Sequence, residues 1–189
     1  MQTQLKPERD MTYHRAALML CLCSFVGCGQ SEPPKPVFDL PEPAGWTHTE
    51  PRTLPPQDVG FSVAYEHTSG VTVTLYQFTR EWKTISGDLD SAQIQGELEN
   101  ARAAILGAAK LGLWDDAVES GNGRSQLGTS AREAVWSRFT LTIDGQPATS
   151  DIYIWVHSNT LFKLRCTSHS DGSPALDKLL TAFGEACSD

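Results

Sequence analysis

Apolar and polar positions alternate in two early stretches of the chain. Phe61, Val63 and Tyr65 keep a period of two, Thr68-Ser69-Gly70 offers a turn, and Val71, Val73 and Leu75 resume the alternation. This predicts a β-hairpin. The period then lengthens: Ile94, Leu98, Ala101, Ile105 and Ala108 fall on one helical stripe. Asp90 with Gln93 three residues on makes a capping-box-like start, and the helix is expected to end near residues 110–112. In the second half Val135, Phe139, Leu141 and Ile143 lead into Asp144-Gly145, a strong two-residue hairpin signal. Ile152, Ile154 and Val156 follow, then a turn at 158–160, then Phe162, Leu164 and Cys166. Ser173-Pro174 opens a last helix whose apolar face is Leu176, Leu179, Leu180, Phe183 and Cys187. Hairpin, helix, meander and helix give an α+β fold: an antiparallel β-sheet packed against two amphipathic helices.

The expected register follows from those turns. A two-residue loop at Asp144-Gly145 sets Arg138 opposite Asp151 and Val135 opposite Ile154. A three-residue loop at 158–160 sets Val156 opposite Phe162 and Ile154 opposite Leu164. Both choices gather the aliphatic residues on one face. The other face then collects Trp136, Arg138, Tyr153, Trp155, Lys163 and Arg165, because a one-residue slip moves every side chain to the opposite side. Such aromatic and basic neighbours read either as a recognition surface for an acidic protein segment or glycan, or as a second face covered by a helix.

This element order, with Gly45-Trp46 near the start, the long meander, the Leu161-Phe162-Lys163-Leu164-Arg165 strand and the closing amphipathic helix, resembles the PsbP-like fold. That fold also occurs in DcrB-type bacterial envelope lipoproteins, and the resemblance spans residues 38–187. It implies a sheet sandwiched by helices and a non-catalytic accessory or binding role. It supplies no catalytic residues.

The N-terminal segment carries an address. Arg15 precedes an apolar run of about eleven residues, 16–26, shorter than the ~20 that span a bilayer. Cys21 and Cys23 each follow leucine, whereas Cys28 follows Gly27 in Phe25-Val26-Gly27-Cys28, which resembles the bacterial lipobox with Phe25 in place of the usual leucine. The resemblance implies a signal peptide over 1–27, acyl chains (palmitate among them) on Cys28 as membrane anchor, and a periplasm-facing envelope location. Gly29 rather than aspartate after the cysteine favours the outer membrane. Residues 28–37 read as a lipidated, proline-rich tether and 38–189 as one α+β domain.

Composition narrows the partners. The chain carries a formal net charge of −8, and loss of residues 1–27 (Lys6, Arg9 and Arg15 against Glu8 and Asp10) makes it −9. That balance opposes nucleic-acid binding and electrostatic adhesion to anionic lipid. The expected partner is an envelope protein, with a small-ligand or glycan carrier or sensor as the alternative. Cys166 and Cys187 are the candidate disulfide. An antiparallel last helix would instead leave Cys187 some 20 Å from its start, favouring two buried thiols.

Motifs for chemistry are missing: no Gly-x-Ser-x-Gly, His-Glu-x-x-His or phosphate-cradling loop, so no enzyme activity and no cofactor are expected. Gly121-Asn122-Gly123 reads as a loop or hairpin. Asp115, Asp116 and Glu119 read as an acidic solvated loop anchored by Trp114. His48, His67, His157 and His169 lack ligand spacing, so no metal is expected.

Overall fold

The computed structural model describes residues 35–80, 82–169 and 174–187. Cys28, the signal segment, most of the tether and the Ser173 cap lie outside the described residues. The strands are β1 (Trp46–His48), β2 (Arg52–Thr53), β3 (Gly60–His67) and β4 (Thr72–Phe78), followed by helix α1 (Ala92–Lys110). Then come β5 (Asp116–Gln126), β6 (Glu133–Ile143), β7 (Gln146–His157), β8 (Thr160–Ser168) and helix α2 (Pro174–Ala186). Every strand pairing is antiparallel. The sheet order is β1-β3-β4-β8-β7-β6-β5, with β2 also paired to β3. The α+β class read from periodicity holds.

The Asp144-Gly145 turn has positive φ at both residues, 52° and 73°, and sets Arg138 opposite Asp151 and Val135 opposite Ile154, as expected. The next turn corrects the sequence reading. Ser158 and Asn159 form a two-residue loop, again with positive φ at both (46° and 56°), so Trp155 meets Phe162 and Tyr153 meets Leu164. Consecutive left-handed residues twist the hairpin to match its strands. Asn159 pins the turn by accepting from the Ile85 amide at 2.6 Å. The three-residue loop assumed one aliphatic and one aromatic face, but β7 buries both of its sides, Ile152 and Ile154 toward α1 and Tyr153 and Trp155 toward α2, so both take large apolar side chains.

Each helix covers a different half of the sheet, on opposite sides. α1 lies over β5, β6 and β7, burying Ile94, Leu98, Ala101 and Ile105 with Val135, Phe139, Ile152 and Ile154. Its N-cap is Ser91, which accepts from the Ile94 amide, one residue beyond the expected Asp90. α2 buries Leu176, Leu179, Leu180 and Phe183 against Trp46, Phe61, Tyr65, Leu75, Trp155 and Phe162. Phe183 meets the edges of Tyr65 and Phe38 at centroid distances of 5.4 and 6.3 Å. The Trp46 indole donates to the Ala175 carbonyl at 3.1 Å, tying β1 to the first turn of α2. Gly184 lets α2 approach the β5–β6 connection, since a Cβ there would stand 1.8 Å from Ser130 Oγ.

β5 corrects a second expectation. Residues 116–126, read as an acidic loop and a glycine turn, form an edge strand with a bulge between Glu119 and Gly121. Gly121 is there for a reason: a Cβ would lie 2.9 Å from Trp136 Cη2, so the glycine seats the indole.

Candidate functional site

The true register divides the six aromatic and basic candidates between the two faces. Trp136, Arg138, Tyr153 and Trp155 share the α2 face with Leu164 and Cys166, while Lys163 and Arg165 share the α1 face with Ile154 and Ile152. On the α2 face they are structural. Trp155 is fully buried, stacks on Phe162 at 5.3 Å and donates to Cys187 Sγ at 3.4 Å. Tyr153 is buried, which pushes its phenol pKa up, helped by the Asp151 charge. Arg138 holds buried Asp151 through Nε–Oδ1 at 2.7 Å and Nη2–Oδ2 at 3.0 Å, with its guanidinium over Trp136. This bidentate pair fixes planar geometry as well as charge. Cys166 and Cys187 are buried free thiols.

On the α1 face Lys163 and Arg165 stand where the helix stops covering the sheet. Glu97 of α1 lies on the apolar stripe, its side chain only 1% exposed, and both carboxylate oxygens are used. Oε1 accepts from Lys163 Nζ at 2.7 Å and Oε2 from Arg80 Nη2 at 2.5 Å. Lys163 also sits over the Tyr76 ring at 4.8 Å, and Arg80 over Phe78 and Trp82, both at 5.3 Å. Asp58 adds a second carboxylate 3.4 Å from Arg80 Nε. This cluster therefore balances its own charge. A carboxylate in the middle of a helix's apolar stripe was the sequence signal for it, because a buried charge needs a cation beneath it.

Arg165 is different. Its guanidinium lies 5.0 Å from the Trp114 ring, and Nε makes one long contact, 3.4 Å, to Ser150 Oγ. Among the described residues no carboxylate pairs with it, and burial lowers its pKa. Beside it, beyond the reach of α1, runs the uncovered half of this face. Ser62, Ala64, Thr74 and Thr167 are half-buried and Glu66 and Thr72 exposed. Register places Ala64, Thr74 and Arg165 in one row, Ser62, Tyr76 and Lys163 in the next, and Glu66, Thr72 and Thr167 on the other side. The result is a flat, hydroxyl-bearing shelf bordered by Trp114, Arg165 and the Lys163–Glu97–Arg80 cluster.

The remaining candidates disperse. His48 meets Glu42 at 3.2 Å, His67 meets Ser69, His157 meets Ser158, and His169 meets the Pro147 carbonyl. Among the described residues no three His, Cys, Asp or Glu side chains are placed to hold a metal ion. Glu119 binds Arg102 of α1 at 2.9 Å and accepts from Ser137 at 2.8 Å. Asp115 accepts from the Gly145 amide at 2.8 Å, so the acidic stretch braces the β6–β7 turn and α1. Two open depressions, about 450 Å³ around Gly87, Leu89 and Arg132 and about 430 Å³ beside Thr181 and Glu185, include no residue of the shelf. No described helix is long and apolar enough to cross a membrane.

Fold and site together define an α+β protein with an open antiparallel sheet and one uncovered polar half-face. No family model and no curated protein matches the chain. Among solved structures the chain is similar to LpqN, a protein involved in cell envelope biogenesis of Mycobacterium tuberculosis. That match has 17% identity and a TM-score of 0.38, covering 78% of this chain and 80% of that one.

Proposed function

We propose that this chain is a lipid-anchored accessory module of the bacterial cell envelope that works by binding rather than catalysis. The observation that carries the binding reading is the uncovered half-face beside Arg165, which presents hydroxyls and a guanidinium that no carboxylate among the described residues pairs with. Preorganised side chains on interior strands suit recognition, because binding then orders little new backbone. The anchor rests on Phe25-Val26-Gly27-Cys28 after a short apolar run, and Gly29 supports the outer membrane as destination. Two chains or more on one cysteine would hold the protein firmly, where one chain binds reversibly. Helices on opposite faces of an antiparallel sheet, the Trp46–α2 tie and the closing amphipathic helix support a PsbP-like or DcrB-type relationship.

Metabolic labelling with an alkynyl fatty acid tests the anchor. Wild-type protein should take up label and fractionate with membranes, and Cys28→Ser should do neither. An unlabelled wild-type protein overturns the envelope assignment. A photocrosslinker at Thr74 tests the binding reading in intact cells. It should give a discrete adduct that the same probe at Lys178, on the exposed side of α2, does not. A Thr74 probe that captures nothing overturns that reading.

A further inference from the structure

We propose that the shelf beside Arg165 is a binding site for an acidic oligosaccharide, a sugar chain bearing a carboxylate, with Arg165 as the anion-binding residue. The inference rests on the binding reading above and names its ligand class. Charge complementarity comes first. The Arg80–Lys163–Glu97–Asp58 cluster is internally neutral, and Glu66 stands two strands away on β3. Among the described residues no carboxylate pairs with Arg165, and Arg52, opposite Ser62 on β2, adds an exposed cation beside the shelf, so on a chain of net charge −8 the local sign is the exception. Trp114 lies over the guanidinium at 5.0 Å, and the terminal nitrogens have no protein acceptor among the described residues. A planar fork held in this way suits a carboxylate, which it can meet through two parallel hydrogen bonds.

Shape selects the rest of the ligand. Thr72, Thr74 and Ser62 present hydroxyls at the strand repeat, about 6.6–7 Å along a strand and about 4.8 Å between strands, beside Thr167, whose hydroxyl meets Ser150 Oγ at 3.2 Å. Each hydroxyl can donate and accept, the pattern a polyol requires. Tyr76 and Trp114 add apolar ring edges at the border. An acidic peptide fits less well. β4 and β8 are interior strands whose backbone groups already pair on both sides, so no edge is offered for strand addition.

Isothermal titration of the purified full chain in detergent with trigalacturonate tests the proposal, beside its uncharged methyl ester and hexaglutamate. The trisaccharide should bind, its methyl ester should not, and Arg165→Gln should weaken binding by about ten- to a hundredfold, the loss of one charge-assisted pair. Arg124→Gln, on the β5 edge, should leave binding unchanged. If Arg165→Gln does not fold, Thr74→Val decides, by weakening binding with an unaltered circular dichroism spectrum. No heat at millimolar trigalacturonate, equal binding of the ester, or full binding by a folded Arg165→Gln protein overturns the proposal. Tighter binding of hexaglutamate overturns it in favour of an acidic protein segment. Failure here with Thr74 crosslinking retained removes the sugar class and leaves the binding reading standing.

Discussion

At the scale of single residues, the buried thiols make the most direct prediction. Burial pushes the Cys166 thiol up to about 12, with the Asp151 charge adding to it, and raises Cys187 as well, against opposing contributions from the Trp155 hydrogen bond and Arg132. A thiol held neutral reacts slowly, since the thiolate is the nucleophile. Iodoacetamide at pH 8 should therefore leave both cysteines unmodified in the native protein and label both in urea; labelling of the folded chain would contradict their burial. The same shifts set an alkaline limit. In the unfolded chain these thiols ionise from their ordinary value of 9.0, while in the folded chain Cys166 holds its proton to about 12. The unfolded state thus binds fewer protons, and stability, fully present below pH 9, should fall progressively between pH 9 and about 12. Burial raises the Tyr65 and Tyr153 phenols in the same sense, steepening the loss. Urea midpoints measured from pH 8 to 11 check it.

At the scale of elements, the decisive features are turns and caps. Asn159 does two jobs: it supplies a left-handed turn residue, and its side chain accepts from Ile85 N and donates to the Lys83 carbonyl. Asn159→Ala should cost about 1–3 kcal/mol, the unsatisfied amide plus the turn strain. It should also speed hydrogen exchange at Ile85 more than in the α2 core. At the start of α1, Ser91→Ala should cost about 1 kcal/mol, while Asp90→Ala, which loses only an exposed ion pair with Arg124, should change stability by less than about 0.5 kcal/mol. Thermal unfolding of the two variants separates the caps. These elements also show what the sequence could disclose. The α2 stripe and the Asp144-Gly145 hairpin were legible because one face is apolar and the turn chemistry is specific. β5 was not, because an exposed edge strand built of Ser120, Gly121, Asn122 and Gly123 has no apolar alternation to read. The Ser158-Asn159 register escaped for the opposite reason: β7 is apolar on both sides, Ile152 and Ile154 on one and Tyr153 and Trp155 on the other, so a slip by one residue still produced a plausible face.

At the scale of the whole molecule, that one-residue slip decides what the candidate site is. With the slip, six aromatic and basic side chains make one surface; without it, Lys163 and Arg165 pass to the α1 face and leave Trp136, Arg138, Tyr153 and Trp155 with Leu164 and Cys166 on the α2 face. What remains for recognition is Arg165, joined by residues that no local pattern marks. Thr74 comes from β4 and Trp114 from the segment after α1, and only the β4–β8 pairing brings Thr74 beside Arg165. The negative charge predicts a further whole-molecule property. Residues 28–189 carrying Cys28→Ser should not float with anionic vesicles, because their net charge of −9 is repelled from an anionic surface. Co-flotation of that variant with anionic vesicles would show a second membrane contact.

The same β4–β8 pairing has a consequence for how the chain comes into being. Neighbouring strands elsewhere in the sheet lie close along the sequence, but β4 must wait for β8. About eighty residues separate Phe78 from Thr160, which at 5–20 residues per second is roughly 4–16 s of synthesis. During that interval the N-terminal hairpin has a naked flank, Thr72 to Phe78, ready to zip onto any passing strand. A guardian that shields nascent chains would meet this protein first along β4.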